Sequence, residues 1–129
     1  MRYSCIVDAH AWIAYFRGEK AAEVTRRYIE GGEGATPTIV IAELSSKFAG
    51  LGEKDWERAL TFVKLKTAVI DLTLDVAAKA GALRNEIGKK AKGFGLADAI
   101  IYETARQNGA KVLTGDTHFK DLENVNYIG

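Results

Sequence analysis

Two stretches in the second half of the chain decide the fold: residues 93–101, GFGLADAII, and residues 111–116, KVLTGD. The first leads into an amphipathic helix that runs to Gln107, because its apolar side chains recur every three or four residues, and it places Asp98 in the first turn. The second follows a helix-ending Asn-Gly pair and predicts a short buried strand with Asp116 directly after it. A helix of about twelve residues rises roughly 18 Å, and a loop with a strand of about 13 Å brings the chain back along it. We therefore expect Asp98 and Asp116 at one edge of a βαβ unit, where open α/β sheets bind their ligands.

Helix and strand signals alternate along the rest of the chain. Residues 38–44 fit both a strand and a helix, and we predict a helix with Thr38 as its N-cap. The alternation predicts an α/β fold with a parallel sheet covered on both faces, in one domain spanning residues 1–129. Further strands or extended segments are predicted at 4–8, 35–37, 68–70 and 125–128, and further helices at about 9–18, 19–30, 54–62, 74–87 and 117–123.

The composition is typical of a soluble globular protein. The chain has 129 residues, of which 47% are hydrophobic and 27% charged. It has no run of about 18 apolar residues that would cross a membrane. The first residues lack the pattern of a signal peptide, and the single cysteine, Cys5, cannot form an internal disulfide, so we expect a cytoplasmic protein with no membrane partner. The formal net charge of +1 gives little overall attraction to a polyanion, so nucleic-acid binding would depend on local patches.

Four carboxylates from distant parts of the chain are predicted to meet at the same edge. Asp8 ends the first strand and Glu43 lies about one turn into the helix that begins at Thr38, so both join Asp98 and Asp116. Taken singly, each acid also fits a helix cap or a solvated turn. Two carboxylates about 5 Å apart repel each other by roughly 3 kcal/mol, so the group needs bound protons or a cation. Oxygen ligands favour Mg²⁺ or Mn²⁺ over zinc, and such a site suits attack on a phosphodiester.

Four short motifs follow one another along the chain: Ile6-Val7-Asp8 before an apolar helix, Ala42-Glu43-Leu44, Leu96-Ala97-Asp98-Ala99-Ile100, and Leu113-Thr114-Gly115-Asp116 with Phe119 three residues on. Their order and spacing resemble those of PIN-domain ribonucleases, particularly the VapC toxins of VapBC toxin-antitoxin pairs, over essentially the whole chain. The resemblance implies a three-layer α/β/α sandwich around a mostly parallel sheet of about five strands. It further implies an endoribonuclease dependent on Mg²⁺ or Mn²⁺, in which a metal-activated water attacks the RNA. The implied catalytic and metal-binding residues are Asp8, Glu43, Asp98 and Asp116.

The same resemblance implies partners and supporting groups. The protein would form a homodimer, would be inhibited by a cognate antitoxin, and would cleave single-stranded or loop RNA to a 5′-phosphate and a 3′-hydroxyl. Many relatives carry Ser or Thr directly after the first acid, whereas Ala9 has no hydroxyl. Thr114 does match a hydroxyl-bearing position, and we expect it to orient Asp116 or a metal-bound water.

Several other side chains have two interpretations each. A basic group after the long helix fits RNA phosphates or a solvated helix end, and two histidines fit a role at the metal site or ordinary hydrogen bonding at its rim. Two phenylalanines fit base stacking or core packing, two tryptophans fit the core or a dimer contact, and one further acid fits the site or a turn. The basic group is Arg84, Lys89, Lys90 and Lys92. The histidines are His10 and His118, the phenylalanines are Phe94 and Phe119, and the tryptophans are Trp12 and Trp56. The further acid is Asp71.

Three other functions compete with the nuclease. A haloacid-dehalogenase-like phosphatase needs a second acid two residues after Asp8, where His10 stands. A receiver-like signalling module that binds Mg²⁺ usually has adjacent acids on its first strand and a lysine after the last strand residue, and the sequence shows neither. The third alternative is a PIN-like RNA-binding domain without catalytic activity. With all four acids present, the sequence alone does not distinguish it from an active nuclease.

Overall fold

The computed structural model describes residues 3–52 and 54–129, and a parallel sheet lies at its centre. Its strands are β1 (Cys5–Val7), β2 (Gly34–Pro37), β3 (Ala68–Ile70), β4 (Lys111–Thr114) and β5 (Val125–Tyr127). Within the described residues they pair in the order β3-β2-β1-β4-β5, and every pairing is parallel. The predicted α/β class and the sheet of about five parallel strands are confirmed. The expected domain of residues 1–129 includes positions 1, 2 and 53, which lie outside the described residues.

Helices connect the strands in pairs. After β1 come α1 (Ala9–Phe16) and α2 (Glu23–Glu30), after β2 come α3 (Thr38–Gly50) and α4 (Trp56–Lys66), and after β3 come α5 (Leu74–Gly88) and α6 (Leu96–Gln107). Single 3₁₀ turns occupy Lys20–Ala22 and Thr117–Phe119. In the described part of the chain, no helix combines the length and the apolar character needed to cross a bilayer.

The path of the chain through the sheet creates a crevice. The chain runs outward from β1 to β3, and then returns past β1 to β4 and β5. Because crossovers between parallel strands are right-handed, the helices before β3 and the α5–α6 pair cover opposite faces of the sheet. The direction therefore reverses between β1 and β4, and such a reversal opens a crevice at the carboxyl ends of the two strands.

The core is built around β1 and the aromatic residues beside the sheet. All of β1 is buried, and Trp12 of α1 is fully buried with its indole N–H donating to the Thr36 hydroxyl at 3.1 Å. Thr36 in turn lies 2.7 Å from the Thr67 hydroxyl, so these buried polar atoms are all paired. Phe94 and Phe119 are 3% and 0% exposed with ring centroids 5.5 Å apart, so their core role is confirmed and they offer no surface for stacked bases.

Two details of the expected secondary structure were wrong. Thr38 is the first residue of α3 rather than its N-cap, because Pro37 holds the extended cap position with φ −65° and ψ 148°. The helix expected at 117–123 is only the 3₁₀ turn at 117–119, because Asn124 takes a left-handed φ of 64° and directs the chain into β5. Neither difference moves an acid away from the crevice.

Candidate active site

The carboxyl ends of β1 and β4 bring two of the acids side by side. Val7 pairs with Leu113 in the sheet, and the Asp8 N–H donates to the Leu113 carbonyl at 3.0 Å. Asp8 directly follows β1 and is the N-cap residue of α1, while Asp116 follows β4 after a single glycine. The two acids therefore lie at the crevice where the strand order reverses.

Thr114 connects these two acids. Its hydroxyl donates to Asp8 Oδ2 at 2.6 Å and accepts the Asp116 backbone N–H at 2.9 Å. Thr114 is fully buried and Asp8 is only 4% exposed, so the short hydrogen bond is shielded from water. We expected Thr114 to act on Asp116, and it does contact that residue through its backbone, but its carboxylate contact is with Asp8.

Asp98 reaches the site from the first turn of α6. Its Oδ2 accepts the Gly95 N–H at 2.9 Å, which closes the start of the helix in the manner of a capping box. Near the same oxygen, His118 Nδ1 lies 3.0 Å from Asp98 Oδ2 and 3.5 Å from Asp116 Oδ1. The His118 N–H also donates to Asp116 Oδ1 at 2.9 Å and caps the 3₁₀ turn.

Glu43 completes the acidic group from the second turn of α3. Within the described residues no hydrogen-bond donor reaches its buried Oε1 atom. Burial, followed by the negative charges of Asp8, Asp98 and Asp116, raises the pKa of Glu43 from 4.5 to about 7, although Lys47 opposes the shift. Carboxylates from four separate elements therefore act on one another, and one of them has an oxygen without a protein partner.

Burial also governs Asp8. It raises the pKa of the Asp8 carboxyl above its ordinary 3.8, and the hydrogen bond from Thr114, the Ala9 amide and the charge of His10 act in the opposite direction. Asp116 adds a further upward influence through its negative charge. Removal from water thus disfavours the ionised form more than the neighbouring donors favour it.

The donor set fits a hard divalent cation. Ligand atoms of Asp98, Asp116 and His118 lie within 4.8 Å of one another. Burial and the neighbouring negative charges disfavour ionisation of Glu43, whose Oε1 has no hydrogen-bond partner among the described residues. Carboxylate oxygens are the ligands that Mg²⁺ and Mn²⁺ favour, whereas the described residues bring no cysteine to this group.

A cleft of about 460 Å³ opens beside the acids. His10 lines it, with its Nε2 atom 3.7 Å from Asp116 Oδ2, and the cations Arg17 and Lys47 line it as well. Sequence reasoning missed Arg17 and Lys47, because one lies just past α1 and the other on α3, and neither belongs to a basic run. The four acids themselves do not line the cleft, and Glu19 does, 4.0 Å from Arg17. The cleft therefore keeps a small excess of positive charge, which suits an anionic ligand.

The other expected residues lie elsewhere. The basic group Arg84, Lys89, Lys90 and Lys92 is exposed on α5 and just after it. Asp71 follows the edge strand β3, two strands away from β1, and is exposed. Trp12 lies in the core, and Trp56 is partly buried against the core.

Comparison with known proteins identifies the family. The model of the PIN domain family matches residues 5–125, so the chain belongs to the PIN domain family. No curated protein sequence matches the chain significantly. The strand order β3-β2-β1-β4-β5 also differs from the 2-1-3-4-5 order of receiver-like folds, which removes the receiver and, with the family match, the phosphatase alternative.

Solved structures share this fold at low sequence identity. A toxin-antitoxin complex from Klebsiella pneumoniae is 22% identical with a TM-score of 0.78, over 98% of each chain. VapBC2 from Rickettsia felis, bound to a promoter DNA fragment, is 20% identical with a TM-score of 0.69, over 95% of this chain and 96% of its own. VapC20 from Mycobacterium tuberculosis, a toxin that cleaves the sarcin-ricin loop, is 17% identical with a TM-score of 0.65, over 95% of this chain and 98% of its own.

Proposed function

We propose that this protein is an endoribonuclease dependent on Mg²⁺ or Mn²⁺ and that it acts as the toxin of a toxin-antitoxin pair. The observation that carries the proposal is the group Asp8, Glu43, Asp98 and Asp116 at the crevice between β1 and β4, in which Asp8 is buried, the other three are partly buried, and the negative charges of the three aspartates raise the pKa of Glu43. Membership of the PIN domain family supports it, as do neighbours described as toxin-antitoxin complexes and as a toxin that cleaves the sarcin-ricin loop. An antitoxin partner and a homodimer belong to the same proposal.

Each acid has a part in this proposal. Asp8, Asp98, Asp116 and Glu43 would hold the cation, which supplies Lewis-acid activation of water and neutralises charge on the phosphate. Thr114 orients Asp8 through its hydroxyl, and Gly95 orients Asp98 through its N–H. Glu43, whose pKa is raised to about 7, can take up or release a proton near neutral pH.

Positive side chains would bind the RNA backbone. Arg17 and Lys47 line the cleft next to the site, and the charge of Lys47 acts on Glu43, so a phosphate bound in the cleft would approach the metal site. The exposed group Arg84, Lys89, Lys90 and Lys92, on α5 and just after it, would be a separate contact for RNA phosphates.

The test is cleavage of a labelled single-stranded RNA by the wild type and by Asp98→Asn. The amide retains an oxygen for the Gly95 N–H and removes the charge, so the fold should survive. We expect activity to fall by more than the roughly 10- to 100-fold loss that is typical when a residue hydrogen-bonded to a metal ligand is substituted. A chelator should abolish wild-type cleavage, and Mg²⁺ or Mn²⁺ should restore it.

Asp71→Asn is the matched control, because it removes the charge of an exposed acid after β3 and should cleave as the wild type does. Undiminished cleavage by Asp98→Asn would contradict the proposal. RNA binding without cleavage in every metal would instead favour the catalytically silent RNA-binding domain.

A further inference from the structure

His118 lies where the carboxylates of Asp98 and Asp116 meet. Its Nδ1 atom is 3.0 Å from Asp98 Oδ2 and 3.5 Å from Asp116 Oδ1, and its side chain is 38% exposed. Asp98 comes from α6 and Asp116 from the end of β4, so this one imidazole touches acids carried by two different elements. Neither the family match nor the shared fold assigns it a role.

The hydrogen bonds indicate which side of each acid His118 occupies. Asp98 Oδ2 already accepts the Gly95 N–H, and Asp116 Oδ1 already accepts the His118 backbone N–H. Both oxygens next to the ring therefore face protein donors. The other two oxygens remain for a cation, since among the described residues Asp98 Oδ1 accepts no hydrogen bond and Asp116 Oδ2 faces His10 Nε2 only at 3.7 Å, beyond hydrogen-bond distance. Because ionised carboxylates only accept, the network assigns the ring proton to Nδ1.

The far side of the ring rests against the loop before α6. A Cβ at Gly93 would lie 2.8 Å from His118 Nε2, so the ring occupies the space that a side chain at this position would need. Gly93 also has a φ of +90°, which disfavours other residues. The imidazole ring is thus held between the backbone of Gly93 and the two acids, with Nδ1 directed at the carboxylates.

We propose that His118 is a positioning residue, whose Nδ1–H holds the Asp98 and Asp116 carboxylates at one separation so that a divalent cation meets a preformed pair. This inference rests on the proposed function, because it concerns the same metal site. His118 belongs to the group whose atoms lie close enough to hold a cation, but its Nδ1 faces the two carboxylates, so in this proposal it donates to the acids and does not bind the metal. Donors placed in this way fix the orientation of metal ligands, and removing them typically weakens metal binding by about 10- to 100-fold.

The experiment compares Mn²⁺ binding by calorimetry in the wild type, His118→Ala and His118→Asn. The amide nitrogen of Asn can occupy nearly the position of Nδ1, so His118→Asn should retain most of the affinity, while His118→Ala should bind about 10- to 100-fold more weakly. His10→Ala is the matched control, since it removes the other histidine near Asp116, whose ring contacts that acid from the cleft side. We expect a much smaller loss there.

Pulsed EPR of the bound Mn²⁺ supplies a second readout that a structural role would not change. We expect no coupling to a directly bound ¹⁴N nucleus in the wild type. A strong ¹⁴N coupling that disappears in His118→Ala would make His118 a ligand and overturn the inference. Circular dichroism and thermal unfolding check that each variant folds.

The remaining outcomes separate the two proposals. Wild-type affinity in His118→Ala, equal losses in His118→Ala and His118→Asn, or an equal loss in His10→Ala would overturn the positioning role alone. A wild type that binds no Mn²⁺ would overturn the proposed function, and this inference with it.

Discussion

At the scale of single residues, the site is controlled by how little water reaches its acids. Asp8 is 4% exposed, and its Oδ2 accepts a hydrogen bond of 2.6 Å from the buried Thr114 hydroxyl in place of one from water. Glu43 has no such donor at Oε1 among the described residues. Burial disfavours the ionised form of both acids, but only Asp8 has a hydrogen bond from Thr114 that offsets this effect. We therefore expect the two acids to respond differently to mutation and to pH.

The Thr114 hydroxyl should stabilise the metal-free protein measurably. Thr114→Val conserves shape and leaves Asp8 Oδ2 and the Asp116 N–H without their partner, so we expect a loss of about 1–3 kcal/mol in urea unfolding. Thr104→Val is the control, because the Thr104 hydroxyl donates to the Ile100 carbonyl within α6, where its removal should cost less. Equal losses in the two variants would contradict a special role for Thr114.

Glu43 should make the metal-free protein less stable as the pH rises. Its pKa is raised from 4.5 to about 7 in the folded state, so its stabilising contribution is fully present below the unfolded value and is lost as the pH passes through about 7. We expect urea unfolding to show a loss of about 1–2 kcal/mol over this range, reduced from the full shift because the group is partly exposed.

Glu43→Gln should remove this part of the pH dependence, and the difference from the wild type isolates Glu43 from Asp8, whose pKa is also raised. The same slope in both proteins would show that another group is responsible. A divalent cation should reduce the wild-type slope, because binding replaces the proton.

At the scale of elements, short loops and turns determine the positions of Asp98 and Asp116 more than the long helices do. Asp98 is aligned by the loop 93–95 and the first turn of α6, and Asp116 by Thr114 at the end of β4 and by the 3₁₀ turn that follows. α3 resolves the ambiguous segment 38–44 as a helix, because Val40 and Leu44 then fall on one buried face. The same helical geometry directs Glu43, on α3, toward the crevice.

The loop before α6 should be sensitive to a single methyl group. Gly93→Ala places a Cβ against His118 Nε2, and because the imidazole is a movable side chain, we expect the ring to shift rather than the fold to fail. NMR of the imidazole nitrogens should detect this displacement, alongside a loss of about 1–3 kcal/mol from the left-handed backbone.

Gly32→Ala separates the two effects. Gly32 has a comparable φ of +72°, and a Cβ added there would meet no described atom within 4 Å, so this variant should lose stability without moving His118. An unchanged His118 signal in Gly93→Ala would contradict the contact.

At the scale of the whole molecule, charge is nearly balanced, so RNA affinity must come from local patches. The formal net charge is +1. Arg17 and Lys47 line the cleft next to the acidic site, whereas Lys64 and Lys66 are exposed on α4. The two pairs carry equal charge, so comparing them tests position rather than total charge.

We expect the double variant Arg17→Ala/Lys47→Ala to reduce the slope of log affinity against log salt for single-stranded RNA by about 1.4, from roughly 0.7 for each lost phosphate contact. Lys64→Ala/Lys66→Ala should leave that slope nearly unchanged. Filter binding over a salt series measures both, with Ca²⁺ in place of Mg²⁺ to limit cleavage. Equal effects would show that general charge, and not the cleft, attracts the RNA.

The sequence by itself determined the element types, the parallel α/β class and the four acids worth testing, because apolar periodicity and helix starts are local properties of the chain. It did not determine that β1 lies beside β4, that Thr114 reaches Asp8 across 106 residues, that Arg17 and Lys47 line one cleft, or that His118 contacts both Asp98 and Asp116. Those facts depend on strand order and on side-chain packing between distant segments. Only the tertiary structure decided them, because such contacts have no periodic trace in the sequence.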